Sequence, residues 1–491
     1  MRFARNLLPL AALAAALVAR GDDASLAPSA LLGWWGGDAE HGGERRRVVM
    51  EFAEADGKPV ARLTLASIGL RDLPIGAWRI DGRRVIVGQS FELALADGEL
   101  EGVLPKALVP LYQIPFALRR LEGPDPVPPA QDASPPRPAV AWTVDLHAPI
   151  WAGLAHDPAS GALVVATDQG AVFALSERTG RVIWTARAGG AVRATPTIDR
   201  GCVYVPSDDG RLQAFLLRTG RLLWRTSIGK GKAPRVPSGP TDDRYERYAS
   251  SVVVKDGRAY VGSRDGGLYA IDARSGRVVW RAAAGDVISG AAAVAGDAVI
   301  FGSYDGHVRA VAARNGLPRW DVDAGGAIVS DVVVADGRAL VGTRSYELLA
   351  LDEATGASAW KRYVWFSWIE SPPVVRDHVA YHGSSDALRV FAVALDGGRL
   401  VWEREVPGWS WARPSATAGS VFVGTVGNDA YFSPRRGALL ALDRAGGELR
   451  WALPADPSPG EWGFAASPVA VGKRVYAADL RGRVFAIEAG E

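Results

Sequence analysis

Apolar and polar residues alternate with a period of two through most of this chain, in short runs broken by Asp-Gly, Ser-Gly and Thr-Gly pairs. Such alternation predicts strands with one buried face, and the pairs predict tight turns because they tolerate a positive φ. From about residue 140 the pattern becomes a repeat. Its clearest copy is Gly267-Leu-Tyr-Ala-Ile-Asp-Ala-Arg-Ser-Gly-Arg-Val-Val-Trp280. The same phrase ends at Trp184, Trp224, Trp320, Trp360, Trp402 and Trp451. An alanine stands ten residues before each of these tryptophans (Ala174, Ala214, Ala270, Ala310, Ala350, Ala392, Ala441), and a glycine four before (Gly180, Gly220, Gly276, Gly316, Gly356, Gly398, Gly447).

Each unit supplies four strands, in the third unit about 249–254, 258–262, 267–271 and 277–281. A period near 40 residues with four strands predicts a propeller blade, which stacks on its neighbours because it cannot bury both faces alone. The third-strand phrase occurs an eighth time at Arg483-Val-Phe-Ala-Ile487, but the chain stops before a tryptophan can follow it. An eighth tryptophan, Trp142, stands at the other end in Val140-Ala-Trp-Thr-Val144. The expected solution is that this strand completes the last blade and closes the ring. Residues 140–491 then give 44 residues per blade for eight blades. The fold class expected is all-β, an eight-bladed propeller closed by an N-terminal strand.

Residues 30–122 carry a different pattern. Alternating runs at 47–52, 60–65, 78–80, 84–87, 91–95 and 114–118 are separated by Asp56-Gly57, Asp81-Gly82 and Asp97-Gly98. About seven strands in an antiparallel meander are expected, closed or nearly closed into a small barrel filled by its own side chains. Seven prolines between 123 and 139 predict a stiff, extended linker. At the start, Arg2 and Arg5 precede an uncharged Ala- and Leu-rich run from Leu7 to Val18. That run is too short to span a bilayer and reads as a signal peptide over 1–24. The expected product is an exported periplasmic or extracellular monomer, without a transmembrane helix.

Composition narrows the chemistry. Lysine and arginine number 56 against 54 acids, so the chain as a whole makes no electrostatic case for nucleic acid. The single cysteine, Cys202, excludes an intrachain disulfide, a thiolate zinc cluster and a CxxC site. Nucleophile elbows, phosphate loops and dinucleotide fingerprints are absent from the sequence. His378 and His382 flank a strand, where residues four apart lie roughly 13 Å from one another. Asp242-Asp-Arg-Tyr-Glu246 reads as a solvated loop, with a calcium site as the alternative.

The phrase Ala-x-Asp-x-x-[Thr/Ser]-Gly-x-x-x-Trp, best kept at Ala270 to Trp280 and Ala350 to Trp360, resembles the tryptophan-docking motif of quinoprotein-type propellers. The resemblance implies that each tryptophan lies flat between neighbouring blades on the motif Ala and Gly. The motif Asp survives at Asp272, Asp352 and Asp443, as a turn-fixing residue. Two branches follow from it. The dehydrogenase branch implies pyrroloquinoline quinone with calcium, but the paired cysteines and long insertions that build its site are missing. The non-enzymatic, BamB-like branch of periplasmic propellers implies no cofactor and a protein partner in outer-membrane protein assembly. This chain departs from that branch by its 30–122 segment, and by Arg20 where a lipobox-like Leu17-Val-Ala-Arg20-Gly would carry its cysteine. The opening Gly33-Trp-Trp-Gly36 and the meander after it resemble small lipocalin-like β domains.

One feature is left over by the repeat. Tyr363-Val-Trp-Phe-Ser-Trp-Ile-Glu370, Gly408-Trp-Ser-Trp-Ala-Arg413 and Glu461-Trp-Gly-Phe464 all precede innermost strands. They are expected to gather at one mouth of the central channel. Trp365, Trp368, Glu370, Trp409, Trp411, Arg413 and Trp462, with Arg193 from an earlier blade, form the candidate binding group. Tryptophan and arginine dominate binding hot spots and stack on planar ligands. Three roles stay open: packing that plugs the channel, a surface for an envelope protein or peptide, and a small-ligand site. The function expected is a non-catalytic cell-envelope scaffold. A quinone-dependent dehydrogenase with a divergent site is the alternative.

Overall fold

A computed structural model describes residues 27–490, apart from 42–43, 67–69, 89–90, 105–113, 125–134, 230–245, 366 and 430–434. The signal-peptide run, most of the proline-rich linker and the Asp242 and Asp243 pair lie outside the described residues. The chain forms two compact units, 1–128 and 129–491.

The first unit is one nine-stranded antiparallel sheet, two strands more than the meander expected from sequence. Its strands are β1 (Gly33–His41), β2 (Glu44–Ala55), β3 (Lys58–Leu65), β4 (Leu70–Gly76), β5 (Trp78–Asp81), β6 (Arg84–Val87), β7 (Phe91–Ala96), β8 (Glu99–Val103) and β9 (Pro115–Arg120). They are ordered β4-β3-β2-β1-β9-β8-β7-β6-β5. The two ends of the sheet, β4 and β5, are consecutive in sequence and joined by Ala77, so the sheet is nearly closed. Pro74 and a positive φ at Asp72 disguise β4 in the sequence, and its ladder with β3 breaks register twice. Glycines disguise β1. A Cβ on Gly37 would lie 1.8 Å from the Ala117 carbonyl, so only glycine lets β9 approach. Met50, Phe52, Leu63, Leu93, Leu100 and Leu118 are buried inside the sheet. Trp78 packs edge-on against Phe52 and donates its Nε1–H to the Ala53 carbonyl at 3.1 Å. A four-residue helix at Pro28–Leu31, unpredicted from sequence, precedes β1; Trp35 Nε1–H donates to the Leu31 carbonyl at 2.8 Å.

The second unit is the eight-bladed propeller. Seven blades are consecutive four-stranded units; the blade ending in Trp184 is blade 1 and that ending in Trp451 is blade 7. In blade 8 the outermost strand is Val140–Asp145, which pairs antiparallel with Arg483–Glu488. The ring therefore closes as the sequence count requires. Innermost strands are shorter than expected: that of blade 3 runs only over Val253–Lys255, because the residues before it belong to the connecting loop.

The repeated tryptophan explains the stacking. In all eight blades its indole Nε1–H donates to a backbone carbonyl of the following blade, as from Trp142 to Glu177, Trp184 to Leu217, Trp280 to Ala313 and Trp451 to Ala489. The motif glycine sits under the neighbouring indole. Gly316 has φ +72, and a Cβ there would lie 2.7 Å from the Trp280 ring. The motif alanine is fully buried opposite its own tryptophan, as in the Ala270↔Trp280 pair, and a β-bulge follows it in seven blades. Asp272 Oδ1 accepts from the Ser275 amide and hydroxyl, which holds its carboxyl below the usual range. Where the Asp is replaced, as at Ala312, the turn still closes through the backbone bond from Gly316 N–H to the residue 312 carbonyl at 2.8 Å.

Candidate functional site

Strands alternate in direction within a blade, so its connections divide between two faces of the disc. Turns between second and third strands share one face with the loops that lead to the next blade. Turns between first and second, and between third and fourth, lie on the opposite face. The leftover aromatic residues all fall on the first of these, the mouth face.

The structure brings some of the candidate residues together. Arg193, Glu370, Trp411 and Arg413 line a common cavity of about 40 Å³ with Trp151, Tyr248 and Asp331. Trp409 stacks on Trp411 with ring centroids 4.9 Å apart and planes at 17°. The Trp409 indole donates to Asp386 Oδ1 at 2.9 Å, and that of Trp411 to Ser385 Oγ at 3.3 Å. Two candidates sit elsewhere. Trp365 is 1% exposed and packs edge-on against Tyr363. Trp462 pairs in a short bridge with the strand Ser420–Gly427 and covers Gly427 and Gly437. Trp409 and Trp411 are buried as well, so most of these tryptophans pack within the face. Trp368, Arg193 and Arg413 remain partly open.

Arginines hold the layer together. Arg344, on a turn of blade 5, donates from Nε and Nη2 to Glu370 Oε1 at 2.9 and 2.7 Å. Its guanidinium lies 4.4 Å from the Trp368 ring and 5.2 Å from that of Tyr304. Arg247, in the loop before blade 3, reaches across the ring to Glu461 in the loop before blade 8 at 2.6 Å, and covers Trp411 at 3.9 Å. Burial opposes the Arg247 charge, but Glu461 outweighs it and the pKa is raised. Beside it the Tyr248 hydroxyl donates to the Ala465 carbonyl at 2.9 Å, and burial pushes its pKa up. Arg413 meets Asp331 at 3.0 Å, and the Arg193 guanidinium lies 5.6 Å from the Trp151 ring.

Sequence reasoning missed Trp151, Arg247, Tyr304, Asp331 and Arg344, and placed Glu461 at the mouth without naming it a candidate. A signal for two of them was present. The residue after the Ser or Thr of each second-to-third-strand turn faces the mouth, and it varies from blade to blade as Arg264, Tyr304 and Arg344. Aligning those turns would have singled it out.

The donor set does not suit a divalent cation. Glu370, Glu461 and Asp331 each face an arginine of their own rather than a shared point. No group of three or more His, Cys, Asp or Glu converges among the described residues. Glu246 is held by Arg264 Nε at 2.9 Å. His378 pairs with Asp336 at 2.6 Å on the opposite face, whereas His382 is buried and stacked on Phe391. Among the described residues, the mouth carboxylates therefore do not match the quinone-and-calcium site that the dehydrogenase branch implies.

Comparison with known proteins supports the architecture. The solved BamB of Moraxella catarrhalis superposes with a TM-score of 0.54 at 17% identity, over 71% of this chain and 97% of that one. A quinohemoprotein alcohol dehydrogenase from Pseudomonas putida HK5 superposes with 0.54 at 15% identity, over 72% of this chain and 76% of that one. The quinohemoprotein alcohol dehydrogenase of Comamonas testosteroni gives 0.56 at 15%, again over 72% and 76%. At these identities the likeness is one of fold. A search of curated proteins finds no match. The model of the family described as outer membrane protein assembly factor BamB matches residues 132–243, 217–329 and 305–491, and the chain belongs to that family.

Proposed function

We propose that the protein is a non-catalytic scaffold of the cell envelope that binds a protein or peptide on the mouth face of its propeller. The observation that carries this reading is the partly open edge of the aromatic layer. Trp368 and Arg413 are half-buried, and each is held in place by a partner (Arg344 and Asp331) that fixes its geometry. Preorganised Trp and Arg side chains of this kind dominate protein interfaces, because little rotamer freedom is lost on binding. The family match supports a protein partner. The test is affinity capture from envelope extract with the full chain, beside Trp368→Ala and Arg413→Ala variants whose melting temperatures are checked. The expected result is a partner lost from both variants. A partner list unchanged by both would refute the reading.

The dehydrogenase likenesses motivate a second reading, a quinone enzyme with an altered site. Its expected signature is saturable binding of pyrroloquinoline quinone with calcium at micromolar concentration, with dye reduction. The arginine-bound carboxylates of the mouth argue against it.

A further inference from the structure

The face opposite the mouth carries an uneven distribution of charge and apolar surface. The third-to-fourth-strand turns of blades 1 to 3 read Glu177-Arg-Thr-Gly-Arg-Val-Ile183, Leu217-Arg-Thr-Gly-Arg-Leu-Leu223 and Asp272-Ala-Arg-Ser-Gly-Arg-Val-Val279. They hold six arginines, 178, 181, 218, 221, 274 and 277, all exposed. None of the six forms an ion pair among the described residues, although Arg277 helps to depress the Asp272 pKa. Of the two acids in these turns, Glu177 is taken by His156 at 2.5 Å, and Asp272 caps its own turn. Directly after each turn stand two exposed aliphatic side chains. Val182 and Ile183 are 39% and 47% exposed, Leu222 and Leu223 40% each, and Val278 and Val279 45% and 46%. The arc extends to Val140 of blade 8 on one side and to Leu317 of blade 4, 61% exposed, on the other.

The arc is continuous. The Gly220 turn seats the Trp184 indole of blade 1, and the Gly276 turn seats Trp224 of blade 2, so each aliphatic pair lies beside the next arginine turn. The opposite arc differs at the same positions. The turns of blades 5 to 7 hold five acids (Asp352, Glu353, Asp396, Asp443, Glu448) against Arg399, Arg444 and Arg450, the last paired with Asp443 at 2.6 Å; in blade 5 the aliphatic pair becomes Ser358 and Ala359, while blade 6 keeps Leu400 and Val401.

We propose that the arc of blades 1 to 3 is a docking surface for an anionic phospholipid membrane. Three features favour a bilayer over an acidic polypeptide. All the turns end on one face of the disc, so the arc offers itself to a plane rather than forming a groove. Arginine turns and aliphatic pairs alternate, which suits a layer where phosphates lie beside acyl chains. Guanidinium binds phosphate oxygens in bidentate fashion. The inference is independent of the mouth.

The test is co-sedimentation of the full chain with phosphatidylglycerol-containing vesicles and with pure phosphatidylcholine vesicles. Binding is expected to the anionic vesicles alone, weakened by salt. Each arginine at an anionic surface is worth roughly fivefold in partitioning, so Arg218→Gln with Arg221→Gln should lower it by roughly 30-fold. Val278→Ser with Val279→Ser should lower it as well, whereas Arg399→Gln in the opposite arc and Trp368→Ala at the mouth should leave it unchanged. These positions are exposed or half-buried, and unchanged melting temperatures verify folding. No sedimentation with anionic vesicles, or sedimentation insensitive to the blade 2 and blade 3 substitutions, overturns the proposal. So does binding of soluble polyglutamate that competes with vesicles and equals them in its dependence on these residues, which assigns the arc to an acidic protein instead.

Discussion

The propeller uses tryptophan in two ways, and the difference separates scaffold from site. The eight staple tryptophans obey one geometry: each donates to a carbonyl of the next blade. The mouth tryptophans share no geometry. Trp411 lies between an indole and a guanidinium, Trp368 under Arg344, and Trp462 over two glycines. Repetition with constant partners marks packing, because every blade faces the same problem. Departure from the repeat marks what only some blades do.

The largest effect should come from the staples, and it should be uniform. Trp280→Ala and Trp402→Ala each remove a buried indole and its hydrogen bond, so each should destabilise the propeller by about 3–5 kcal/mol in denaturant unfolding. Equal costs in blades 3 and 6 would sharpen the comparison. A staple that could be lost for less than about 1 kcal/mol would break it. At the mouth, Glu461→Gln leaves Arg247 charged, mostly buried and deprived of the Glu461 carboxylate, a change that costs about 3 kcal/mol. Replacing both together (Arg247→Met with Glu461→Gln) should recover a good part of that, as no staple double variant would.

How much of this was legible follows the same division. The blade count, the closing strand at Val140 and the roles of Ala270, Gly276 and Trp280 could be read from spacing alone, since a repeat shows its own constraints many times over. The strands β1 and β4 of the first unit occur once, and glycines in one and Pro74 in the other disguise them. The mouth was legible only as an excess of tryptophan. Its arginine partners come from loops 214 residues apart in the case of Arg247 and Glu461, and no local pattern links them. Trp365, a candidate because it stands outside the staple count, is fully buried.

A pH titration tests a buried group of blade 6, at the end of its second strand. His382 is fully buried, stacked on Phe391, with Nδ1 2.9 Å from the Gly383 carbonyl. Burial pushes its pKa down to about 4, with a small further push from Arg362 and some opposition from the Gly383 bond. The unfolded chain takes up that proton near pH 6.5 and the folded chain does not. The contribution is therefore complete above pH 6.5 and is lost as pH falls towards 4, in total about 3 kcal/mol. His382→Phe should flatten this window, read as the difference between the two stability curves. Parallel curves for the two proteins would refute the assignment.

The smallest effect concerns the motif aspartate. Asp272→Ala removes two hydrogen bonds to Ser275 and should cost about 1 kcal/mol, because the Gly276 N–H still closes the turn on the residue 272 carbonyl. Blade 4 already lives with Ala312 at this position. The converse substitution, Ala312→Asp, should therefore stabilise by a similar amount, its carboxylate accepting from the Arg314 and Asn315 amides as Asp352 accepts from those of Ala354 and Thr355. A neutral result at both positions would mean that the glycine, alanine and tryptophan alone carry the motif. A loss at 272 without a gain at 312 would tie the aspartate to the Ser275 hydroxyl, which blade 4 lacks. Either way the aspartate is the member of the motif that varies most freely, as its absence from five of the eight blades requires.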